Sequence, residues 1–307
     1  MVSFKPFSVV APASTANLGP GYDSLGLALP IYQTVKIEPS DSWRVEYVQP
    51  EHQTLPGDEK NLIIKTVRHV EKKFNKTCPP AKLMVESDIP LSRGLGSSAA
   101  AISSGISIAD QLLNLSLSQE EKIYLACEME GHPDNVSASI AGGFTVSRYA
   151  NGNLDTISVP VNGFSVIVLV PLTTLETKES REVIPKILDH RDAAMSSAAG
   201  NVLVASLLTG DFDKAGRAMM VDKFHEPHRS RFFPDLPDIK KTALAEGAFA
   251  VTISGAGPSI AVYAENVSAG HVASELENKF KSYTIHNLLP SDKGTVLYEK
   301  NENHLFA

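Results

Sequence analysis

Ser92-Arg93-Gly94-Leu95-Gly96-Ser97-Ser98-Ala99-Ala100-Ala101 places two glycines and two serines at a turn and follows them with a run of small residues suited to a helix. Glycine lets backbone amides come close to an anion. Serine adds hydroxyl donors and oxygen ligands. A helix beginning here aims the positive end of its dipole at the same spot. The combination is a phosphate cradle, and a nucleotide-using enzyme is the first expectation. The stretch is no P-loop, because the chain has no Gly-x-x-x-x-Gly-Lys-Ser/Thr run, and no strand leads into a Gly-x-Gly-x-x-Gly turn. A Gly/Ser turn ahead of a helix is by itself more often a plain cap than an anion site. The reading therefore depends on what the rest of the chain supplies.

The chain has 307 residues, enough for two domains, and is 43% hydrophobic and 21% charged, as a soluble globular protein with a sizeable core would be. A net charge of −7 argues against a nucleic-acid partner. Two cysteines, Cys78 and Cys127, make no disulfide framework, and Cys127 sits in an apolar helical pattern that suits a core residue. Met1-Val2-Ser3-Phe4-Lys5-Pro6 lacks the apolar centre of a signal peptide, and no apolar run reaches membrane-spanning length. A cytoplasmic protein with no membrane partner is expected.

Strands are predicted at 7–10, 34–38, 43–47, 83–86 and 144–148, with turn-rich sequence over 11–23. Helical spacing covers 61–74, where Leu62, Ile63, Val67, Val70 and Phe74 share a side, and 98–113, the most apolar helix. Ser118-Gln119-Glu120-Glu121 is a capping box that opens a helix to about residue 130. Beyond the turn Asn151-Gly152-Asn153, a buried strand is predicted at 165–170, then helices at 178–188, 192–208, 211–221 and 236–246. Strands at 249–253 and 260–263 flank a second glycine turn, Ser254-Gly255-Ala256-Gly257-Pro258-Ser259. A helix at 269–281 and strands at 283–288 and 295–298 follow. Strands and helices mix without strict alternation, so the expected class is α+β. The division is placed after residue 153, giving domains 1–153 and 154–307.

Three glycine-rich segments, 11–23, 91–101 and 254–259, stand far apart. In this order they resemble the GHMP small-molecule kinase superfamily, over essentially the whole chain. Pro12-Ala13-Ser14-Thr15-Ala16-Asn17-Leu18-Gly19-Pro20-Gly21-Tyr22-Asp23 is similar to the homoserine kinase branch in particular. Pro90-Leu91-Ser92-Arg93-Gly94-Leu95-Gly96-Ser97-Ser98-Ala99-Ala100 resembles the superfamily's ATP-phosphate loop, and the turn with Gly255 and Gly257 resembles its C-terminal glycine loop. The likeness extends to Glu128-Met129-Glu130-Gly131-His132-Pro133-Asp134-Asn135-Val136, to Thr177-Lys178-Glu179-Ser180-Arg181 and to Glu226-Pro227-His228-Arg229.

The resemblance implies an N-terminal domain like domain 2 of ribosomal protein S5, a ferredoxin-like C-terminal domain, and substrates bound between them. It implies ATP and L-homoserine as substrates, Mg²⁺ as cofactor, a step towards threonine and a homodimer. Its Mg²⁺ ligands would be Ser98 and Glu128, hard oxygens as the ion prefers; Glu130 is close in sequence, though residues two apart on a helix point to different sides. Asp23 with Asn17 would hold the amino and hydroxyl end of the substrate, Arg181 and Arg229 its carboxylate, and His132 would touch it. Arg231 stands near Arg229, and the sequence does not separate the two. Asn135 occupies the place where many relatives carry a carboxylate base, with Asp134 adjacent, so direct attack without a dedicated protein base is expected, catalysed by Asn17, Asp23, Asn135 and Arg181. Asn61, after Gly57-Asp58, would lie on the adenine side. Another GHMP kinase acting on a mevalonate-type or sugar substrate is the alternative; a sugar has no need of two arginines. A non-catalytic nucleotide-binding regulator is a further one.

Two stretches imitate other chemistry. His190-Arg191-Asp192 looks like a protein-kinase catalytic loop, but Ser197 stands where its Asn should be. His225-x-x-His228 has no other nearby ligands for zinc.

Overall fold

The computed structural model describes residues 4–299. In chain order the strands are β1 (Phe7–Ala16), β2 (Leu25–Pro39), β3 (Arg44–Tyr47), β4 (Ala81–Ser87), β5 (Phe144–Ala150), β6 (Asn153–Val159), β7 (Phe164–Pro171), β8 (Ala248–Ile253), β9 (Ile260–Glu265), β10 (Tyr283–Leu288) and β11 (Val296–Glu299). The helices are α1 (Leu62–Phe74), α2 (Ser97–Leu113), α3 (Gln119–Glu130), α4 (Asp134–Ala141), α5 (Thr177–Glu182), α6 (His190–Thr209), α7 (Phe212–Met219), α8 (Glu226–Arg229), α9 (Leu236–Ala245) and α10 (Asn266–Lys279).

The strands make two sheets. The first runs β11-β1-β2-β4-β3, with β5 on β2 and β6 on β5. The second runs β10-β7-β9-β8. Numbered within its own unit, the second sheet has the order 4-1-3-2 of a ferredoxin-like arrangement, with all its pairings antiparallel. The class is α+β, as the mixed pattern of elements predicts.

The segment read as turn-rich departs most from expectation. β1 continues past residue 10 to Ala16, and every residue from Val9 onward is buried. Pro12 is tolerated because the register with β2 shifts between Pro12 and Ala13, a bulge at which proline costs no ladder bond. α2 and α4 pack against this strand, with Ser14 facing Gly96 and Asn135, while Ala11 and Ala13 lie in the cluster that joins the two units. Burial, not turn chemistry, explains the composition. α4 and β6 had no counterpart among the predicted elements. The helix predicted at 178–188 ends at Glu182, ahead of Pro185, which cannot continue it.

Three apolar clusters hold the molecule. One packs α1, α2 and α3 on the first sheet through Ile64, Val67, Ile106 and Leu83. Another packs α9 and α10 on the second sheet through Ile239, Leu276 and Val262. The third joins the two units: Leu27 and Leu29 of β2 share it with Val166 and Val168 of β7 and with Leu203 and Met219. The division expected after residue 153 falls in the turn of the β5–β6 hairpin, both strands of which lie in the first sheet. The chain passes to the second sheet over 160–163, and β11 returns to the first beside β1.

The turn that opens the reading lies between β1 and the second glycine turn. Gly94 has φ +70°, and a Cβ there would stand 2.3 Å from the Ser254 carbonyl oxygen and 2.8 Å from that of Gly257. Gly131 shares the positive φ, +86°, but has nothing within 4 Å. Gly94→Ala is therefore expected to cost at least about 1 kcal/mol more than Gly131→Ala, since overpacking adds to the shared backbone strain. Urea unfolding of both variants checks this; equal losses would show that the loop yields freely.

Candidate active site

α2 begins at Gly96, whose φ of +71° turns the chain into the helix, and no side chain caps it. The N–H groups of its first turn have no intrahelical acceptors. They face a cavity of about 420 Å³ between the two units. Asn17, Asn61, residues 91–99, His132, Asn135, Arg181, Arg229 and Gly255 line it. Pro90 lines an adjoining cavity of about 570 Å³ instead. Ala100 is buried beneath the helix. Gly257 stands behind the lining, packed on Phe233.

Around the helix N-terminus, Ser98 Oγ donates to Glu130 Oε2 at 3.2 Å. Glu128 is elsewhere. It accepts from Lys73 Nζ at 2.7 Å and lies 3.2 Å from His69 Nε2, on the side of α3 that faces α1. The two glutamates differ because each helical residue turns about 100° from the last, so the metal-ligand expectation moves from Glu128 to Glu130. Burial works against ionisation of Glu128, but its hydrogen bonds to Lys73 and His69 outweigh this and hold its carboxyl below the usual range. Arg93 reaches the cavity but spends its guanidinium on the Pro171, Leu172 and Leu91 carbonyls, so it braces the loop. Lys60, not singled out in the sequence, is the lysine in the lining. At the same end Asn61 caps α1 by accepting from Ile63 N, and its Nδ2 donates to the Tyr47 hydroxyl and the Pro56 carbonyl, both at 2.7 Å.

The opposite end gathers charge. Asn17, in the left-handed region at φ +71°, donates from Nδ2 to the Gly255 carbonyl at 2.9 Å and accepts from Asp23 N at 3.0 Å. Arg181 grips Asp23 with both nitrogens of its fork, at 2.5 and 3.1 Å, and donates to the Tyr22 hydroxyl at 2.9 Å. Burial opposes the Arg181 charge, but Asp23 more than restores it. Arg229 is 1% exposed. It donates to the Ser180 carbonyl at 3.1 Å, the Gly255 carbonyl at 3.0 Å and His225 Nδ1 at 2.9 Å. Among the described residues no carboxylate pairs with it, and burial pushes its pKa down. Arg231 is exposed and lies over the Phe232 ring, which separates it from Arg229 where the sequence could not.

Between the two ends, Asn135 Oδ1 accepts from Ser14 Oγ at 2.9 Å. His132 Nδ1 meets Asp134 Oδ1 at 2.7 Å, and the same oxygen accepts from Asn135 N. Burial disfavours charge on His132, yet the Asp134 hydrogen bond and charge outweigh it and raise its pKa. Asp134, fully enclosed, is held below the carboxylate range by the same pair, against the pull of burial. Asp134, Tyr22 and His225 were not singled out as working residues. Tyr22 lies inside the 12–23 segment and His225 just ahead of 226–229, but only tertiary contact shows what they touch.

Comparison with known proteins identifies the family. The model for "GHMP kinases N terminal domain" matches residues 61–143, and that for "GHMP kinases C terminal" matches residues 203–282. The chain is 38% identical over 297 residues to a homoserine kinase of Bacillus licheniformis, covering 97% of each. It is 40% identical over 304 residues to one from Bacillus cereus, covering 98% of this chain and 99% of the other. The crystal structure of homoserine kinase from Cytophaga hutchinsonii superposes with a TM-score of 0.86 at 28% identity, over 97% of this chain and 98% of that one.

The His132–Asp134 pair has a pH signature. With Asp134 present, His132 is expected to titrate above the ordinary histidine value; Asp134→Asn leaves burial and the Arg181 charge opposed only by Asp23 and should lower it. Imidazole NMR shifts against pH check this. The sign is that of a raised histidine: the stabilisation is full below the unfolded pKa and lost as pH rises through the folded one. An unchanged titration in Asp134→Asn would remove Asp134 from the account.

Proposed function

The chain belongs to the homoserine kinases, a family of GHMP kinases, and from that premise we propose that it transfers the γ-phosphoryl group of ATP to the side-chain hydroxyl of L-homoserine, giving O-phospho-L-homoserine for threonine formation. The reading includes a cytoplasmic homodimer, as the family resemblance implies. One observation carries the assignment of the acceptor: a buried arginine, Arg229, opens on the cavity with no carboxylate partner among the described residues, and the Asp23 carboxylate, itself outside the lining, lies within 4.8 Å of His132 and Asp134, which line that cavity too. A buried cation without an anion is costly to keep. A ligand carboxylate relieves it, and Asp23 takes the ligand ammonium. A zwitterion satisfies both; a sugar satisfies neither.

At the other end, backbone N–H groups of the α2 first turn receive the phosphates. The Ser98 hydroxyl and the Glu130 carboxylate offer adjacent hard oxygens, a donor set that fits Mg²⁺. Mg²⁺ bound there would neutralise charge on the phosphate oxygens. The side chains between the ends favour attack without a protein base. Asp134 is tied to His132, Asp23 to Arg181, and position 135 is an amide. Of the carboxylates at the acceptor end, each described one is thus held by a partner, and the hydroxyl proton leaves to a phosphate oxygen or water. Phosphoryl transfer through a loose transition state asks little of the nucleophile, so positioning and charge neutralisation suffice. Asn17, Asn135 and His132 position the acceptor.

ADP release measured across L-homoserine, L-threonine, mevalonate and galactose tests the acceptor: L-homoserine should give the largest kcat/KM, and a larger value for mevalonate or galactose would overturn the reading. Arg229→Leu is expected to raise the KM for homoserine by about 10- to 100-fold, the worth of one charge-assisted contact, with little change in the KM for ATP or in kcat. Ser98→Ala and Glu130→Gln should each lower Mg²⁺-dependent turnover at least about tenfold, while Glu128→Gln stays near wild type. The reverse order for the two glutamates would return the metal to Glu128.

A further inference from the structure

We infer that His225 is a positioning residue: as a neutral acceptor it aims Arg229 at the substrate carboxylate and ties that arginine to the loop carrying Asp23, so fixing the spacing between the two charges that the site offers. The inference rests on the reading of Arg229 as the carboxylate partner. His225 is wholly buried at the start of α8, between the two units. Arg229 Nη1 donates to its Nδ1 at 2.9 Å. A guanidinium has only donors, so Nδ1 must be bare and the ring proton must sit on Nε2. Nε2 then donates to the Gly19 carbonyl at 3.0 Å. Gly19 belongs to the loop between β1 and β2, which carries Tyr22 and Asp23, and the His225 ring stacks on Tyr22 with centroids 5.5 Å apart and planes at 26°.

The ring is held from below as well. The Asp222 carboxylate accepts from the backbone N–H groups of Phe224, His225 and Glu226 at 2.7, 3.2 and 2.6 Å, which sets the turn that presents it. Burial pushes the His225 pKa down to about 4; the nearby Asp222 pulls the other way and Arg229 adds to the fall. The imidazole therefore stays neutral, as an acceptor for a cation requires. His225 Nδ1 and the Gly255 and Ser180 carbonyls occupy Arg229 Nη1 and Nε, and Nη2 takes no acceptor among the described residues. That leaves Nη2 as the nitrogen for the ligand. One histidine thus links the arginine for the carboxylate to the backbone of the loop for the ammonium.

Two amide replacements separate this role from bulk packing. In His225→Asn the side-chain oxygen can stand where Nδ1 stands; in His225→Gln the amide reaches the place of Nε2 and no acceptor remains for Arg229. Steady-state kinetics of the full-length enzyme are measured with L-homoserine and with 2-amino-1,4-butanediol, which lacks the carboxylate. His225→Asn, which keeps an acceptor for Arg229 but gives up the bond to Gly19, should raise the KM for homoserine by about three- to fivefold, and His225→Gln should raise it at least about tenfold, the scale of one hydrogen bond to a charge. Neither should change kcat/KM for the diol or the KM for ATP by more than about threefold. Equal damage to homoserine and diol, or equal effects of Asn and Gln, would overturn the inference and leave His225 as packing. Arg229→Leu run alongside identifies the level of failure. If it does not narrow the gap between homoserine and the diol, the carboxylate reading of Arg229 falls and His225 falls with it. If it does, and His225→Gln does not, only the positioning role is lost.

Discussion

Backbone meets backbone at Gly94, and the site depends on that contact. Ser254 Oγ donates to the Gly94 carbonyl at 2.7 Å, Ser259 N to the Arg93 carbonyl at 3.3 Å, and Ser14 N to the Leu95 carbonyl at 3.1 Å. The phosphate turn is thus bonded on one side to the first strand and on the other to the glycine turn of the second unit. Gly255 N adds a bond to the Ala16 carbonyl at 3.1 Å, which closes the clamp. Because main-chain groups and one serine hydroxyl do the holding, the uncapped helix start is fixed in place without filling the space in front of it. The same glycine turn carries the Gly255 carbonyl that receives both Asn17 and Arg229. Both ends of the cavity hang from one support.

The two arginines show how differently a protein can keep a cation at such a place. Arg181 is about a third exposed and neutralised by Asp23. Arg229 is enclosed and surrounded by neutral acceptors and the Tyr22 face. Burial without an anion is a cost to the folded state, offset in part by the three acceptors that the guanidinium satisfies. On the proposed reading, a ligand carboxylate would recover the rest.

Much of this was legible in the sequence. The turn at 92–98, the helix after it and the capping box at Ser118 follow local rules, and local rules survive folding. The 11–16 stretch misled because small residues have two uses: they make turns, and they let helices come close to a strand. Only the packing of α2 and α4 on β1 shows which use applies. Glu128 and Glu130 present the same difficulty in another form. Both lie near the right place in the chain, and the helix phase that sends one to Lys73 and the other to Ser98 depends on how α3 sits on its neighbours. His225 carried a metal-like spacing that pointed nowhere, while its contacts with Gly19 and Arg229 lie across a gap in sequence that no local pattern spans.

β11 pairs residues 296–299 with β1, Glu299 opposite Phe7. The lower half of β1 is covered by that strand and the upper half by the turns at 94–96 and 254–259. During synthesis on the ribosome, β1 emerges ahead of every other described element and waits for β11, the last of them, before its free edge is covered. Until then it is an apolar strand with open hydrogen-bonding groups, the kind of surface that invites a wrong partner. β11 and the two turns shield that edge only once most of the chain is present, so the length of chain between β1 and β11 sets how long the edge stays open.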